Sequence, residues 1–362
     1  MSKVYITYGA LITPLGNVEE ENFQRMIDGD SGVSIAKGSG FKGEDLPLGI
    51  ILDLGENDRY INLLGRACDI LFNRYKDIFS KKSTKVIISS TKADIDALPN
   101  DTFESSKSIL RSKLQTVNEP LIISNACISG ILAINTAGDF IKHGIYECVV
   151  VIGIDTISDF IKFGFQSLFA ISNEFTMPFD KDRKGINIGE GLGAVVLSKD
   201  QLENTKSVEY LGGSSSNDAN HISGPSRTGE GLFRSVNKSF ERAGVTSDSI
   251  DFISAHGTGT IYNDEMESIA FNRLNMGNTP LSSMKGFFGH TLGAAGIIEV
   301  IASMKMMEHN LLIKSLGFSE KGTSCDLNIL SSNRQMEVKT VLKTGSGFGG
   351  GNASLIIRKI VE

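Results

Sequence analysis

The sequence predicts an α/β protein in which helices cover both faces of a mostly parallel sheet. Along all 362 residues, short apolar runs typical of strands alternate with longer segments of helical periodicity. The run at residues 147–155 (Glu-Cys-Val-Val-Val-Ile-Gly-Ile-Asp) is almost continuously apolar, as expected of a strand buried on both faces. The same order of elements recurs after residue 206. We therefore expect two similar halves, residues 1–206 and 207–362, with no linker between them.

The elements of the first half follow from their patterning. Residues 17–27 are amphipathic, with acids in the first turn and Gly29 just beyond the end, which predicts a helix. The remaining elements are predicted as strands at residues 4–7, 48–52, 85–89 and 194–198, and as helices at residues 60–79, 101–114 and 158–169.

The second half closes on a glycine-rich segment. Gly-Ser-Gly-Phe-Gly-Gly at residues 345–350 matches G-x-G-x-x-G, but a strand rather than a helix is predicted after it, so no dinucleotide site is expected. Strands are predicted on both sides of this segment and at residues 207–211 and 251–255, and helices at residues 229–243, 263–275 and 292–308.

Composition and charge exclude several classes of protein. The net charge of −6 argues against a general nucleic-acid binder. The four cysteines show no C-x-x-C spacing, and the chain opens on a strand-like segment rather than on a charged region followed by an apolar core. The longest apolar runs are far too short to span a bilayer. These observations predict a reducing, cytoplasmic compartment, free thiols and no membrane association.

One cysteine stands in a turn suited to a nucleophile. An apolar run ends at Ile123, small residues and Cys127 follow, and apolar positions then recur at helical spacing. The unpaired N–H groups and positive dipole of a helix N-terminus favour a thiolate, so we expect a lowered pKa for Cys127. A small buried residue without chemistry fits the same stretch equally well.

Two histidines stand in contexts unlike the others. His256, in Ser-Ala-His-Gly-Thr-Gly-Thr, follows a strand of buried type, and ligands of open α/β sheets bind at the carboxyl ends of strands. His290 comes just before a helix of small residues, where the helix dipole favours a neutral imidazole. Taken singly, each histidine fits a structural role beside glycines as well as a catalytic one.

Taken together, these motifs resemble one enzyme family. Cys127 in its turn, the His-Gly-Thr-Gly-Thr segment at His256, Lys285 five residues before His290 and the Gly-Phe-Gly-Gly segment at Phe348 are similar to those of the elongating β-ketoacyl-acyl carrier protein synthases. These are decarboxylating condensing enzymes of the thiolase superfamily. The resemblance covers nearly the whole chain and implies a thiolase-like α/β fold with two βαβαβ-type halves in an αβαβα arrangement.

The resemblance implies a catalytic role for each of these residues. Cys127 would accept an acyl chain as a thioester that stays reactive toward carbon. His256 and His290 would stabilise the enolate that forms when a malonyl group loses carbon dioxide. Main-chain N–H groups of Cys127 and Phe348 would form the oxyanion hole, and the Phe348 side chain would act as a gate between the two half-reactions.

Six further residues resemble positions of the family outside the catalytic group. Lys285 and Glu299 match a buried ion pair behind the histidines, where a lone charge would be costly. Thr258 and Thr260 match hydroxyls that bind the pantetheine arm, although capping a turn is an equally common role. Asp264 and Glu267 could equally be first-turn acids of the following helix.

The resemblance also implies partners and leaves two alternatives. We expect acyl carrier protein bearing acyl and malonyl groups as the partner, a homodimer, and no cofactor. The Cys-His-His set favours elongation, because thiolases use a second cysteine in a motif that Cys325 does not match and initiating synthases have asparagine in place of His290. The alternatives are a chain-length-factor-like structural subunit of a heterodimer, in polyketide or polyene rather than fatty acid synthesis, and acyl transfer or thioester hydrolysis without condensation.

The chain departs from the family pattern in two places. Residues 35–118, which in the family help to form the dimer interface and the acyl tunnel, align poorly, so the acyl chain length is not predicted. Ser346 replaces an aromatic residue, which suggests a roomier or more polar pocket. The dispersed His143, His221 and His309 form no metal-ligand spacing, and we expect no metal. A structural role is expected for His221, whose loop resembles one near the entrance of the family's pocket.

Overall fold

The computed structural model describes residues 3–203, 205–218 and 224–360, and His221 lies outside them. The helices are α1 Glu19–Asp28, α2 Arg59–Phe79, α3 Glu104–Ile109 with a π-helical turn at Leu110–Leu114, α4 Ser129–Lys142, α5 Asp159–Ser167, α6 Glu230–Ala243, α7 Ile261–Arg273, α8 Lys285–Phe288 and α9 Ala295–His309. The strands are β1 Tyr5–Ile12, β2 Val33–Ala36, β3 Leu46–Gly49, β4 Thr84–Ser89, β5 Leu121–Ile123, β6 Cys148–Asp155, β7 Ile188–Gly189, β8 Gly191–Ser198, β9 Ser207–Asn217, β10 Phe252–Ser254, β11 Pro280–Ser282, β12 Leu311–Leu312, β13 Asn328–Ile329, β14 Arg334–Gln335, β15 Thr340–Gly347 and β16 Gly351–Lys359.

Eleven strands form one continuous sheet. Their order is β13-β11-β10-β15-β16-β9-β1-β8-β6-β4-β5. The two halves of the chain meet where β1 pairs with β9. Beside β1 lies β8, the last long strand of the first half, and beside β9 lies β16, the last long strand of the second half. The strand order is therefore repeated about the centre of the sheet.

The expectation of a mostly parallel sheet is wrong for the centre of this sheet. The outer pairs, such as β4 with β6 and β10 with β15, are parallel, but β1, β8 and β6 pair antiparallel, as do β9, β16 and β15. The connection from β15 to β16 is only the turn Phe348–Gly350. A turn this short can join antiparallel neighbours, whereas parallel strands need a crossover of a dozen or more residues.

Helices lie in three layers around the sheet. The outer helix α2 packs on β1, β8, β6 and β4, and α6 packs on β9, β16 and β15. Between the halves, α4 contacts β6 and β9, while α9 contacts β8 and β15. Residues 295–307 of α9 are all buried, as expected of a helix enclosed on every side. This layering is the αβαβα arrangement expected from the sequence.

The predicted division falls at the start of a strand. Strand β8 ends at Ser198, and β9, which pairs with β1 and β16, begins at Ser207. The division therefore falls at the end of the connection between these two strands. The division at residues 206 and 207 stays a prediction.

The helices were also compared with the length and apolar character that a membrane span requires. Within the described ranges, none of the helices is both long and apolar enough to cross a bilayer.

Close approach of α4 and α9 depends on glycine. A methyl group on Gly296 would lie 2.8 Å from the main-chain nitrogen of Ile131 and 2.8 Å from its Cγ1 atom. A backbone atom at that distance cannot move aside without shifting α4, and overpacking of this kind is destabilising. The two helices therefore tolerate no side chain at this crossing.

We predict that Gly296→Ala lowers the free energy of unfolding by about 1–3 kcal/mol, because the new methyl group forces α4 and α9 apart. Gly164→Ala is the matched control, since Gly164 is an exposed residue of α5 with nothing within 4 Å of the added methyl group. The control should be neutral or stabilising by up to about 1 kcal/mol. Urea titrations of both variants measure the difference, and equal midpoints for Gly296→Ala and wild type would contradict the packing argument.

Candidate active site

A strained turn presents Cys127 at the start of α4. The strand β5 ends at Ile123 and the helix begins at Ser129. The hydroxyl of Ser129 accepts a hydrogen bond from the Asn125 N–H at 2.7 Å and donates one to the Ala126 carbonyl at 2.7 Å. Ala126 adopts a φ of 44°, a left-handed conformation that is unfavourable for alanine. This turn places Cys127 just before the first turn of the helix, as the sequence predicts.

Cys127, His256 and His290 come together although they are distant in sequence. One nitrogen of each imidazole and the Cys127 sulfur all lie within 4.8 Å of one another. The two rings are 5.2 Å apart between centroids and nearly perpendicular, at 81°. All three residues are buried, with exposed fractions of 8%, 4% and 1%. Two halves of the chain thus supply a single group of a thiol and two imidazoles.

This group lines a cavity of about 480 Å³. Phe165 and Phe348, which also line the cavity, stack with ring centroids 5.2 Å apart. Ser346 faces the same cavity, and its hydroxyl donates to Asn352 Oδ1 at 2.8 Å. The cavity wall is therefore polar at this position, where the family pattern has an aromatic residue. The cavity is large enough to admit the end of an acyl chain or a thioester beside the thiol.

The hydrogen bonds of His290 define its tautomer. Its Nδ1 atom accepts a hydrogen bond from the Leu292 N–H at 3.3 Å, so the proton of the neutral ring is on Nε2. Nε2 is buried and has no hydrogen-bond partner among the described residues. Burial, with the charges of Lys285 and Lys343, lowers the pKa of His290 well below its ordinary value. His290 is therefore a neutral donor without an acceptor.

Buried carboxylates hold the loop that carries His256. Glu267 accepts hydrogen bonds from the N–H groups of His256 at 2.8 Å and Gly257 at 2.6 Å. Asp264 accepts one from the Thr258 N–H at 3.0 Å. Burial, with the charge of Asp264, raises the pKa of Glu267 to about 7. These acids thus do more than begin the helix α7, because they fix the main chain around His256.

The His256 ring is also held in its neutral form. Burial lowers its pKa well below the ordinary value, and the charges of Lys285 and Lys343 act in the same direction. The sequence predicted a neutral ring for His290 from a helix dipole, but burial is the largest cause of the lowered pKa of both histidines.

Lys285 and Glu299 form the expected buried ion pair. The Lys285 ammonium donates to Glu299 Oε1 at 2.8 Å and to the main-chain carbonyl of His256 at 2.5 Å. Sequence reasoning missed Lys343, which pairs with the other oxygen of Glu299. The available signal was a lysine inside the predicted strand segment Thr-Val-Leu-Lys-Thr of β15, a position where an unpaired buried charge would not be tolerated.

The threonines and the glycine-rich turn border the cavity as expected. The hydroxyls of Thr258 and Thr260 are 2.8 Å apart and share a hydrogen bond, and both residues line the cavity. The turn at Phe348 contains Gly349 and Gly350 at φ values of 84° and 78°, which glycine adopts without strain. Contact with pantetheine and a gating motion of Phe348 stay predictions.

The expected low pKa of Cys127 is not found. Burial raises the pKa of Cys127 to about 12, against the opposing effects of the Lys285 charge and of hydrogen bonds from the Phe348 and Cys127 main chain. The helix N-terminus is present, but loss of water around the sulfur outweighs it. The resting sulfur is therefore a thiol.

The other two histidines that the structure describes, His143 and His309, lie outside this group. His143 is exposed and its Nδ1 atom contacts the Asp139 carbonyl at 2.8 Å, while His309 stacks on Phe23. Over the described ranges, Cys127, His256 and His290 are the one set of histidine, cysteine and acidic residues close enough to share a metal ion. The expectation that this site works without a metal stays a prediction.

Two family models match the chain in succession. The model of the β-ketoacyl synthase N-terminal domain matches residues 119–202, and that of the β-ketoacyl synthase C-terminal domain matches residues 208–319. Together they cover more than half of the chain. Cys127 lies in the first match, and both histidines lie in the second.

Individual proteins show the same similarity. The putative mitochondrial 3-oxoacyl-[acyl-carrier-protein] synthase of Schizosaccharomyces pombe is 28% identical over 100% of both chains. The 3-oxoacyl-[acyl-carrier-protein] synthase 2 of Rhizobium meliloti is 34% identical over 69% of this chain and 62% of that protein. The structure of the ketosynthase ApeO in complex with its chain length factor ApeC, from Xenorhabdus doucetiae, contains a chain that matches with a TM-score of 0.89 at 26% identity, over 99% of this chain and 98% of that one.

These similarities confirm the resemblance found in the sequence and the thiolase-like α/β fold that it implied. They extend over both halves of the chain and include the segments that carry Cys127, His256 and His290. The chain belongs to the β-ketoacyl synthase family.

Proposed function

We propose that this chain catalyses a decarboxylative condensation. An acyl primer held on Cys127 reacts with malonyl-acyl carrier protein to give 3-oxoacyl-acyl carrier protein and carbon dioxide. The observation that carries the proposal is the buried group of one thiol and two neutral imidazoles within 4.8 Å at a cavity. Such a group can both hold an acyl chain and stabilise a developing enolate.

The first step transfers the acyl group. The Cys127 sulfur attacks the thioester carbonyl of the incoming primer, and the carrier's thiolate leaves. Because the resting sulfur is a thiol, its proton must pass to a base and then to the leaving thiolate. His290 already accepts a bond at Nδ1 and carries its proton on Nε2, so His256 is the imidazole that takes this proton. Main-chain N–H groups of Cys127 and Phe348 donate hydrogen bonds to the oxyanion.

The second step generates the carbon nucleophile. The malonyl thioester carbonyl accepts a hydrogen bond from the unpartnered Nε2–H of His290, with His256 on its other side. The electron pair of the breaking carbon–carbon bond moves into the enolate as carbon dioxide leaves. The enolate carbon then attacks the Cys127 thioester, and the Cys127 thiolate leaves as the 3-oxoacyl carrier is released. The thiolate takes one proton from solvent in each turnover. Preorganised donors in a dry site suit this charge.

The expected partner is acyl carrier protein, which the names of both curated relatives contain. A second subunit is also part of the proposal. Leu168 and Phe169 line the cavity yet are 46% and 94% exposed, and Phe160 in the preceding helix α5 is 65% exposed. A second thiolase-like subunit would cover this apolar edge. The cytoplasmic location stays a prediction, since the relative from Schizosaccharomyces pombe is named as mitochondrial.

A second candidate function is that of a chain-length-factor-like partner in a heterodimer. The similarity to a chain of a ketosynthase and chain length factor complex favours it. Intact-mass measurement separates the two functions after incubation with acyl-carrier protein. An adduct on wild type that is lost in Cys127→Ser supports the enzyme, and no adduct on the wild-type chain supports the structural role. Release of free acid without a 3-oxoacyl product would instead support hydrolysis.

We predict that His290→Ala slows carbon dioxide release by about 10²–10³-fold while acylation of Cys127 falls much less, because the variant loses a donor to the enolate. Release of labelled carbon dioxide and the rate of acyl adduct formation measure the two steps. His143→Ala changes an exposed residue just beyond the C-terminal end of α4; it is the control and should leave both rates unchanged. Equal losses in both steps for His290→Ala would contradict the division of roles.

We predict that alkylation of Cys127 by iodoacetamide accelerates about tenfold per pH unit from pH 6 to pH 10, because a raised pKa leaves only a small thiolate fraction that grows with pH. Peptide mass mapping after timed quenching follows the Cys127 peptide. The Cys127→Ser variant identifies background labelling at the other cysteines. A rate that is constant below pH 7 would show a preformed thiolate and refute the assignment of a resting thiol.

A further inference from the structure

We infer that Lys343 is a positioning residue for the decarboxylation step. Its ammonium group is an internal cation that fixes the main chain leading into His256 and completes the ionic partners of Glu299. The inference rests on the proposed condensation and adds to it a residue outside every motif identified in the sequence.

Lys343 reaches the active site from the neighbouring strand. It lies in β15, with an exposed fraction of 1%, directly beside Ser254 of β10 in the parallel register. Its Nζ atom donates to the main-chain carbonyls of Ser254 at 3.2 Å and Ala255 at 3.1 Å. These are the two residues immediately before His256. The lysine therefore holds the end of the strand from which the catalytic loop departs.

The same loop is held at each following carbonyl. The His256 carbonyl accepts from Lys285 at 2.5 Å, and the Gly257 carbonyl accepts from the Ser283 hydroxyl at 2.6 Å. Four consecutive carbonyls, from residue 254 to residue 257, thus have side-chain donors. Glu267 holds the N–H groups of this loop from the other side. With both sides of the peptide chain fixed, the His256 ring has little freedom to move away from Cys127.

Glu299 links Lys343 to Lys285. One carboxylate oxygen pairs with Lys285 at 2.8 Å and the other pairs with Lys343. Glu299 and both lysines are buried, and a buried carboxylate oxygen without a partner is strongly destabilising. The residue that follows Lys343, Thr344, donates to Glu267 at 3.3 Å. Strand β15 therefore contacts both carboxylates behind the histidines.

The charge of Lys343 also acts on the imidazoles through space. Burial lowers the pKa of both histidines, and Lys285 and Lys343 lower it further. Loss of Lys343 should therefore raise these pKa values, so that the neutral rings needed for decarboxylation are lost at a higher pH. The charged and titratable groups that face the imidazoles are Cys127, Asp264, Glu267, Lys285, Glu299 and Lys343.

The test compares two buried lysines. Lys343→Met removes the ammonium group at similar length. Lys305→Met is the matched control. Like Lys343, Lys305 is buried, with an exposed fraction of 2%, and it is ion-paired, but its partners are Glu20 and Glu308 at the far end of α9. Each variant and wild type is given acyl- and malonyl-carrier protein. The rate of Cys127 acylation, the rate of carbon dioxide release and the pH profile of that release are measured.

We expect Lys343→Met to slow both steps, because both use His256. Carbon dioxide release should slow roughly 10- to 100-fold more than acylation, since stabilising the enolate needs both neutral imidazoles in place and misplacement of a catalytic group has effects of this size. The acid limb of its pH profile should move to higher pH. Lys305→Met should change neither the ratio of the two rates nor the acid limb. If Lys343→Met does not fold, Lys343→Gln provides the same readouts with a neutral side chain that still donates hydrogen bonds.

Two results would overturn the inference. If both Lys343 variants keep the wild-type ratio of the acylation rate to the rate of carbon dioxide release, and the wild-type acid limb of the pH profile, Lys343 has only a structural role. The proposed condensation then still stands. If wild type itself makes no 3-oxoacyl product, the proposed function fails and the inference fails with it.

Discussion

The site depends on a buried ionic network in which Glu299 pairs with Lys285 and Lys343. These residues come from α9, α8 and β15, three elements that are separate in sequence. Buried charges are stable only when their partners are in place, so the network admits one arrangement of the three elements. That arrangement fixes the main chain at His256, and its positive charge helps to keep both imidazoles neutral.

The repeated topology explains why distant residues meet beside this network. The strand order mirrored about β1 and β9 brings the turn after β5 close to the loops after β10 and β15. The enclosed helices α4 and α9 meet there, and only glycine fits their closest contact, at Gly296. Cys127 from one half can then face His256 and His290 from the other. Neither half alone contains the complete group.

Features with a local signal could be predicted from the sequence. The period of α2 and the continuous apolar run of β6 gave elements that the structure places within a residue or two of the predicted bounds. Motif context was enough to select Cys127, His256 and His290. The antiparallel centre of the sheet, the high pKa of Cys127 and the role of Lys343 could not be predicted. Each depends on which distant atoms surround a residue and exclude water, and those contacts leave no periodic trace in the sequence.

In the proposed mechanism, the Cys127 thiol and the two neutral imidazoles form one condensing centre. The most direct measurement gives the purified chain an acyl-carrier protein primer and malonyl-carrier protein labelled with carbon-13 at its methylene carbon, and analyses all products by mass spectrometry. We expect a 3-oxoacyl-carrier protein in which the labelled methylene carbon lies between the two carbonyl groups, with one carbon dioxide released per product. Free primer acid, or decarboxylated malonyl carrier without any joined product, would contradict it.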